Sequence, residues 1–413
     1  MPRRLLASLA LAAMTSLAVA TPATARPMAT ASPVSDDSLS RDLQKAAQQA
    51  KAQRKGHGAR VANPTLDAAL AAVVSDGAIG AAGRLQTPTT SWAGAEGLRD
   101  KDRKPAAKPA DRFRVASNTK MMISVLVLQE VDKGVWQLDQ PVAEVLPTLL
   151  PDHPEVTFRQ LLSHTSGMPN GTNELMMRHI TDPNSMEQFQ AAMERDYAPQ
   201  EHIDAVNAVP WTEPGQMVYS NAGYVALGML LEAQNDASLE ALMKKRVWQP
   251  AGMHQTSYDT EAGLKGAALH EDAWLGEQDG WMELDNFDPD LLGAAGAVTS
   301  TTDDLNDFTR ALFAGKLVST QLLHQMMTPV STTPMEYGLG LYRIPDPCPA
   351  AGSDPYLYGH DGAAMGTLSV AFTSADGTRQ FSLGATGRDL TALSGRVDLN
   401  KVLVPMMMAS CNA

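Results

Sequence analysis

The chain has 413 residues, 44% of them hydrophobic and 19% charged, which supports a sizeable core in two domains or in one large domain with an inserted subdomain. Net charge is −13, yet the first sixty residues carry nine Lys/Arg against three Asp/Glu, so the rest holds about −19. An acidic body of this kind argues against nucleic acid and anionic membrane as partners.

The chain opens with a basic MPRR, an apolar LLASLALAAMTSLAVA, and the small-residue patterns AVA (18–20) or ATA (23–25). This predicts a secretory signal peptide over residues 1–25 rather than a spanning helix, and a secreted or periplasmic protein without membrane insertion after its removal. Residues 26–62, rich in Ala, Gln, Lys and Ser, read as a mobile linker or pro-segment. The folded domain is expected over residues 63–413. TLDAALAAVVSDG predicts a first helix, GAIGAAGRLQ and SWAGAEG a pair of early strands, and KDRKPAAKPADR a charged loop. FRVASNTKMMI (113–123) then passes from a short extended piece into a helix, MMISVLVLQEVDKG, that stops near Lys133 and Gly134.

Residues 139–290 carry helical patterns, polar loops and prolines and are read as an inserted, mainly helical subdomain. LSVAFTSADGTRQFSLGATG predicts a hairpin turning at Asp376-Gly377, because Gly accepts the positive φ such a turn needs. A last helix is expected over about 395–410. The fold class that follows is α+β: a sheet flanked by helices, with the subdomain forming one wall of a cleft. Two cysteines, Cys348 and Cys411, allow one disulfide in an oxidising compartment; two unrelated buried thiols are the alternative.

Three short elements can carry chemistry. Ser117 and Lys120 form the chain's Ser-x-x-Lys, and a helix starting at Ser117 sets them one turn apart on one face. A serine hydroxyl is a weak nucleophile until a base takes its proton, and a desolvated lysine has a lowered pKa suited to that task. The bland alternative is an N-cap serine with a snorkelling lysine. Tyr219-Ser220-Asn221 lies at a predicted loop-to-helix junction, where Tyr219 could shuttle a proton and Asn221 hold a substrate amide; a cap and a core aromatic would look the same. In His360-Asp361-Gly362 the histidine has glycines on both sides, Gly359 and Gly362, that let backbone approach a ligand, or the triplet is a surface turn.

The order of these elements, with spacings of 102 and 141 residues, resembles the serine penicillin-recognising hydrolases: DD-carboxypeptidases, class C β-lactamases and related esterases. FRVASNTKMM, LLSHTSGMP, PGQMVYSNAGY, GAAGAVTSTTDDL, EYGLGLYR and YGHDG extend the likeness over roughly 65–412, and it is greatest to secreted actinomycete-type D-alanyl-D-alanine carboxypeptidases. The resemblance implies a β-lactamase/transpeptidase-like fold with an antiparallel sheet. It also implies Ser117 as acylated nucleophile, Lys120 assisting its deprotonation, Tyr219 as general acid/base, and Asn221 orienting the substrate amide. His360 becomes a polar or positive partner of Tyr219 and substrate, with Gly362 in the same element. The backbone N–H groups of Ser117 and Ala363 become the oxyanion hole, and Cys348–Cys411 a disulfide found in those relatives. No metal or organic cofactor is implied. His164 is left as structural.

One departure bears on substrate. The middle residue of the third element is usually Thr, which helps hold a peptide's terminal carboxylate; here it is Asp361, an acceptor when ionised. The cation nearest in sequence that could intervene is Arg343. The expected function is a secreted D-alanyl-D-alanine carboxypeptidase-like serine hydrolase. The alternatives are an esterase or class C-like β-lactamase, or, from another class, a non-catalytic cell-wall or penicillin-binding protein. Expected partners are a small peptide, ester or β-lactam substrate, and peptidoglycan.

Overall fold

The computed structural model describes residues 59–349, 352–391 and 396–411. The expected signal peptide and residues 26–58 of the expected linker lie outside these. Residues 59–62 do not read as free linker: Ala59–Arg60 forms a short strand, β1, and Asn63 caps the helix that follows by accepting the Leu66 N–H.

That helix is α1 (Pro64–Ser75), with proline at its first turn where no N–H partner is lost. After it come β2 (Gly80–Gln86) and β3 (Thr90–Gly97). The central helix α2 (Thr119–Asp132) is buried on nearly every side, as its almost unbroken apolar sequence requires. Helix α3 (Asn221–Asn235) packs against it, and α4 (Thr302–Phe313) lies under the sheet. The chain closes with β4 (Tyr342–Pro345), β5 (Tyr356–Ala363), β6 (Thr367–Ser374), β7 (Gln380–Thr386) and α5 (Asn400–Ser410).

The strands form one seven-stranded sheet in the order β1-β3-β2-β7-β6-β5-β4. Every pairing is antiparallel except the two-residue β1–β3 contact. The β6–β7 hairpin turns at Gly377, whose φ of 65° a glycine adopts without strain. On one face Leu66, Leu70 and Val73 of α1 and Val402, Leu403 and Met406 of α5 cover Leu85, Val370, Phe372, Phe381 and Leu383. On the other face α2 and α4 cover Tyr358 and Ala371. Both layers are apolar contacts, the main source of stability in such a fold.

Between Asp139 and Asp290 the chain forms helices at 158–162, 172–177, 186–193, 199–207, 221–235 and 239–243. Short strands accompany them: Ser257–Tyr258 pairs with Val298–Ser300, and Asp272–Trp274 pairs with Trp281–Glu283. No described helix is long and apolar enough to cross a membrane. Cys348 and Cys411 form a disulfide that ties the stretch between β4 and β5 to the end of α5.

Candidate active site

The nucleophile element is built by a backbone that changes conformation three times in five residues. Phe113–Arg114 pairs with Val298–Ser300, and the Val115 N–H donates to Val298 O at 2.9 Å. Ala116 then takes a φ of 48°, a left-handed conformation that costs a residue with a Cβ roughly 1–2 kcal/mol. Residues 116–118 make a 3₁₀ turn, and α2 begins at Thr119. The helix therefore starts two residues later than expected from Ser117, and the tighter turn carries the serine.

Strand β5 abuts this turn. A Cβ on Gly362 would sit 2.3 Å from Val115 O and 2.4 Å from Ser369 Oγ, so the third element needs its glycine for close approach. Ser117 and Ala363 thereby line one cleft together with Asn221, Leu292, Ala295 and Gly296.

Lys120 is fully buried, and its Nζ meets three oxygens: Ser117 Oγ at 3.0 Å, Asn221 Oδ1 at 2.8 Å and Ala295 O at 2.9 Å. Burial holds the amine well below its ordinary pKa, with the Asp361 carboxylate opposing the shift. A neutral amine has two N–H groups and one lone pair. The Asn221 and Ala295 carbonyls can only accept, so they take the two N–H groups, and the lone pair is left for the Ser117 hydroxyl. Asn221 is fixed in turn, donating from Nδ2 to Thr172 Oγ1 at 3.0 Å.

Tyr219 is half-buried, with Lys120 Nζ 4.9 Å from its ring centre. Ser220 caps α3 by accepting the Gly223 N–H and donating to Pro169 O, which sets Tyr219 and Asn221 at the helix entrance. The structure thus brings Ser117, Lys120, Tyr219 and Asn221 together.

Of the remaining residues, Arg343 is placed differently from expectation. His360 is buried, its Nε2 engaged with the Tyr337 hydroxyl at 3.0 Å. Burial and the nearby Lys120 amine push it down to about 3, so it is a neutral partner rather than a positive one. Asp361 is buried too, its carboxylate 3.6 Å from His360 Nδ1 and within the field of Lys120, Tyr342 and Arg388. Arg343 does not intervene there. It pairs in register with Tyr358, whose side chain lies on the sheet face opposite to that of Asp361, because successive residues of a strand alternate sides. Its guanidinium instead bonds Glu336 at 2.9 Å and stacks over Tyr356 at 3.8 Å. The cation near Asp361 is Arg388, which donates to Ala364 O at 2.7 Å.

Two groups at the back of the site, one of them expected to be structural, had no expected part in the chemistry. His164 sits among the rings of Tyr219, Tyr224 and Tyr337, at 4.2, 5.2 and 4.9 Å. Tyr337 and Tyr224 extend a chain of hydroxyls from His360 toward Leu162 O. Both His164 and Tyr337 lie in quoted landmarks, LLSHTSGMP and EYGLGLYR, so a signal existed; what it lacked was a direction for the side chain. Among the described residues no group of acidic, histidine or cysteine side chains could hold a metal ion.

Comparison with known proteins agrees with this geometry. A Beta-lactamase family profile matches residues 43–378. The putative penicillin-binding protein PbpX of Bacillus subtilis (strain 168) is 29% identical over 240 residues, 57% of this chain and 55% of its own length. Esterase EstB of Burkholderia gladioli is 29% identical over 175 residues, 40% of this chain and 43% of its own. The chain spans about half the length of these curated relatives. Among solved structures, a D-stereospecific amidohydrolase from Streptomyces sp. superposes with a TM-score of 0.72 at 27% identity, covering 83% of this chain and 98% of that one. With the family match running through all three motif elements, this chain belongs to the beta-lactamase family.

Proposed function

We propose that this protein is a serine hydrolase working through an acyl-enzyme on Ser117, and that it cleaves amide or ester bonds in substrates of D-amino-acid type that present no free carboxylate to β5. The observation that carries the chemistry is the set of acceptors around Lys120, which leaves its lone pair for Ser117 Oγ. Lys120 takes the Ser117 proton as Oγ attacks the carbonyl carbon. The backbone N–H groups of Ser117 and Ala363 hold the oxyanion, a contribution of about 3–4 kcal/mol per donor in comparable sites. Tyr219 passes a proton to the leaving amine or alkoxide, and later takes one from the water that releases the acid and restores Ser117. Asn221 holds Lys120 through Oδ1 and has a second Nδ2 proton for the substrate carbonyl.

The substrate class rests on charge. A carboxypeptidase needs a cation at the cleft strand to receive the terminal carboxylate. Arg343 is held by Glu336 at 2.9 Å and stacked over Tyr356, turned to the side of its strand opposite to Asp361, and the residue beside His360 is a buried carboxylate. The likeness to the D-stereospecific amidohydrolase supports the same class. A non-catalytic binding role would leave the desolvated lysine, a costly group to bury, without purpose. Export by the N-terminal signal completes the proposal.

The test measures three releases side by side: ammonia from D-phenylalanine amide, p-nitrophenol from a short-chain ester, and D-alanine from a D-Ala-D-Ala peptide. Amide or ester turnover, absent in Ser117→Ala, with little D-alanine release, is expected. Efficient D-alanine release would return the carboxypeptidase expectation, and no turnover or covalent labelling by a fluorescent penicillin would end the hydrolase reading.

A further inference from the structure

Tyr219 has no hydrogen-bonded strand or helix under it; it stands in the loop before α3. Its main chain is held from another segment: Asn170 Nδ2 donates to Tyr219 O at 3.4 Å, and His164 holds the residues on either side. The His164 carbonyl accepts the Val218 N–H at 2.8 Å, and its Nδ1 accepts the Ser220 N–H at 3.1 Å. Both neighbours of Tyr219 are thus held by the same residue. Between these two bonds the imidazole lies against the Tyr219 ring, with centres 4.2 Å apart and planes at 34°.

This grip depends on an unusual backbone. His164 has a φ of 59°, the left-handed region that residues with a Cβ rarely occupy. Strain of this kind persists where surrounding structure imposes it, and it gathers at functional sites. A second cost points the same way. Because Nδ1 accepts a hydrogen bond, the proton of the neutral ring is on Nε2, and that buried atom has no hydrogen-bond partner. Simple packing against three tyrosines would be met more cheaply by an aromatic hydrocarbon. Burial keeps the ring well below its usual pKa, so His164 is neutral and is no proton carrier.

We infer that His164 is a positioning residue: it sets the main chain and ring plane of Tyr219 so that the phenol meets the leaving group, without itself touching substrate. The inference rests on the reading of Tyr219 as general acid/base. Misplacing a catalytic group by about 1 Å costs on the order of 10²-fold in rate, so a residue that sets such a group acts on kcat rather than on KM.

Three variants separate its two contacts. His164→Asn keeps an acceptor for the Ser220 N–H and tolerates the left-handed backbone. His164→Phe keeps the ring, and His164→Ala keeps neither. Each is assayed for kcat and KM on D-phenylalanine amide, whose leaving nitrogen must be protonated, with kcat scaled to the Ser117 sites that a fluorescent penicillin titrates. The expected result for Ala is a fall in kcat of roughly 30- to 100-fold with KM changed by less than about threefold, with Asn and Phe lying between Ala and the parent. If Ala does not fold, the same split between Asn, Phe and parent decides. Parent-like kcat in the variants, or a loss carried by KM, would overturn the inference. Failure of the parent itself to acylate at Ser117 would instead defeat the proposed function.

Discussion

Lys120→Met removes the amine and little else, since the two side chains are similar in length and Lys120 is fully buried. Its effect on rate follows from the contact to Ser117 Oγ at 3.0 Å. Loss of a positioned general base costs typically ~10²–10⁴-fold, or about 3–5 kcal/mol of barrier. The effect on stability has opposing parts. Asn221 Oδ1 and Ala295 O lose their donor, at roughly 1–3 kcal/mol each, while the cost of burying an ionisable group disappears. The sign of the pH dependence is definite. Lys120 has a folded pKa below its unfolded one, so between the two the unfolded chain binds more protons and stability rises with pH. Acylation rises over the folded-state titration as well, because only the neutral amine accepts the serine proton. The assay is stopped-flow acylation by a chromogenic ester, with thermal unfolding followed across the same pH series. Parent acylation should climb and level off below the ordinary lysine range, and the Met variant should be slow and flat. Acylation of Lys120→Met at the parent rate would refute the assignment of the base.

Three further outcomes are expected. Gly362→Ala places a methyl 2.3 Å from Val115 O, a backbone atom that cannot swing away, so acylation should fall at least ~10-fold and unfolding should move down by about 1–3 kcal/mol in denaturant titration; parent-like behaviour would show that β5 yields. Glu271→Ala breaks the Arg114–Glu271 pair, 2.9 Å apart with both side chains buried, and should cost about 3–5 kcal/mol by the same titration. Arg343→Ala should leave the ratio of D-Ala-D-Ala cleavage to amide cleavage unchanged, measured as relative kcat/KM; a selective loss of the carboxylate substrate would bring Arg343 back to the cleft.

The framework was legible because it rests on local signals: the Pro64 start of α1, the all-round apolar character of α2, and the Asp376-Gly377 turn each specify their own element. The nucleophile pair was legible for the same reason, Ser117 and Lys120 being three residues apart. What could not be read is what meets across long separations. The Ala295 carbonyl that completes the surroundings of Lys120 is 175 residues away, and nothing in GAAGAVTSTTDDL says that a main-chain oxygen points there. Arg343 illustrates the strand version of the problem. Its place beside β5 was foreseeable, but its face depends on a register with Tyr358 that one residue of slip would reverse. Asp361 shows a third limit: sequence marked it as unusual, yet only burial against Arg388 turns it from a surface determinant into an interior charge.

The parallel strand β1 has a practical consequence. It occupies the edge of the sheet opposite β4, five strands along from β5, which at about 4.8 Å per step is roughly 24 Å. A fusion partner or a solid support joined ahead of Ala59 is therefore delivered to the side of the molecule remote from Ser117. Immobilisation through that end should leave the cleft mouth as open to bulky polymers as it is in free solution.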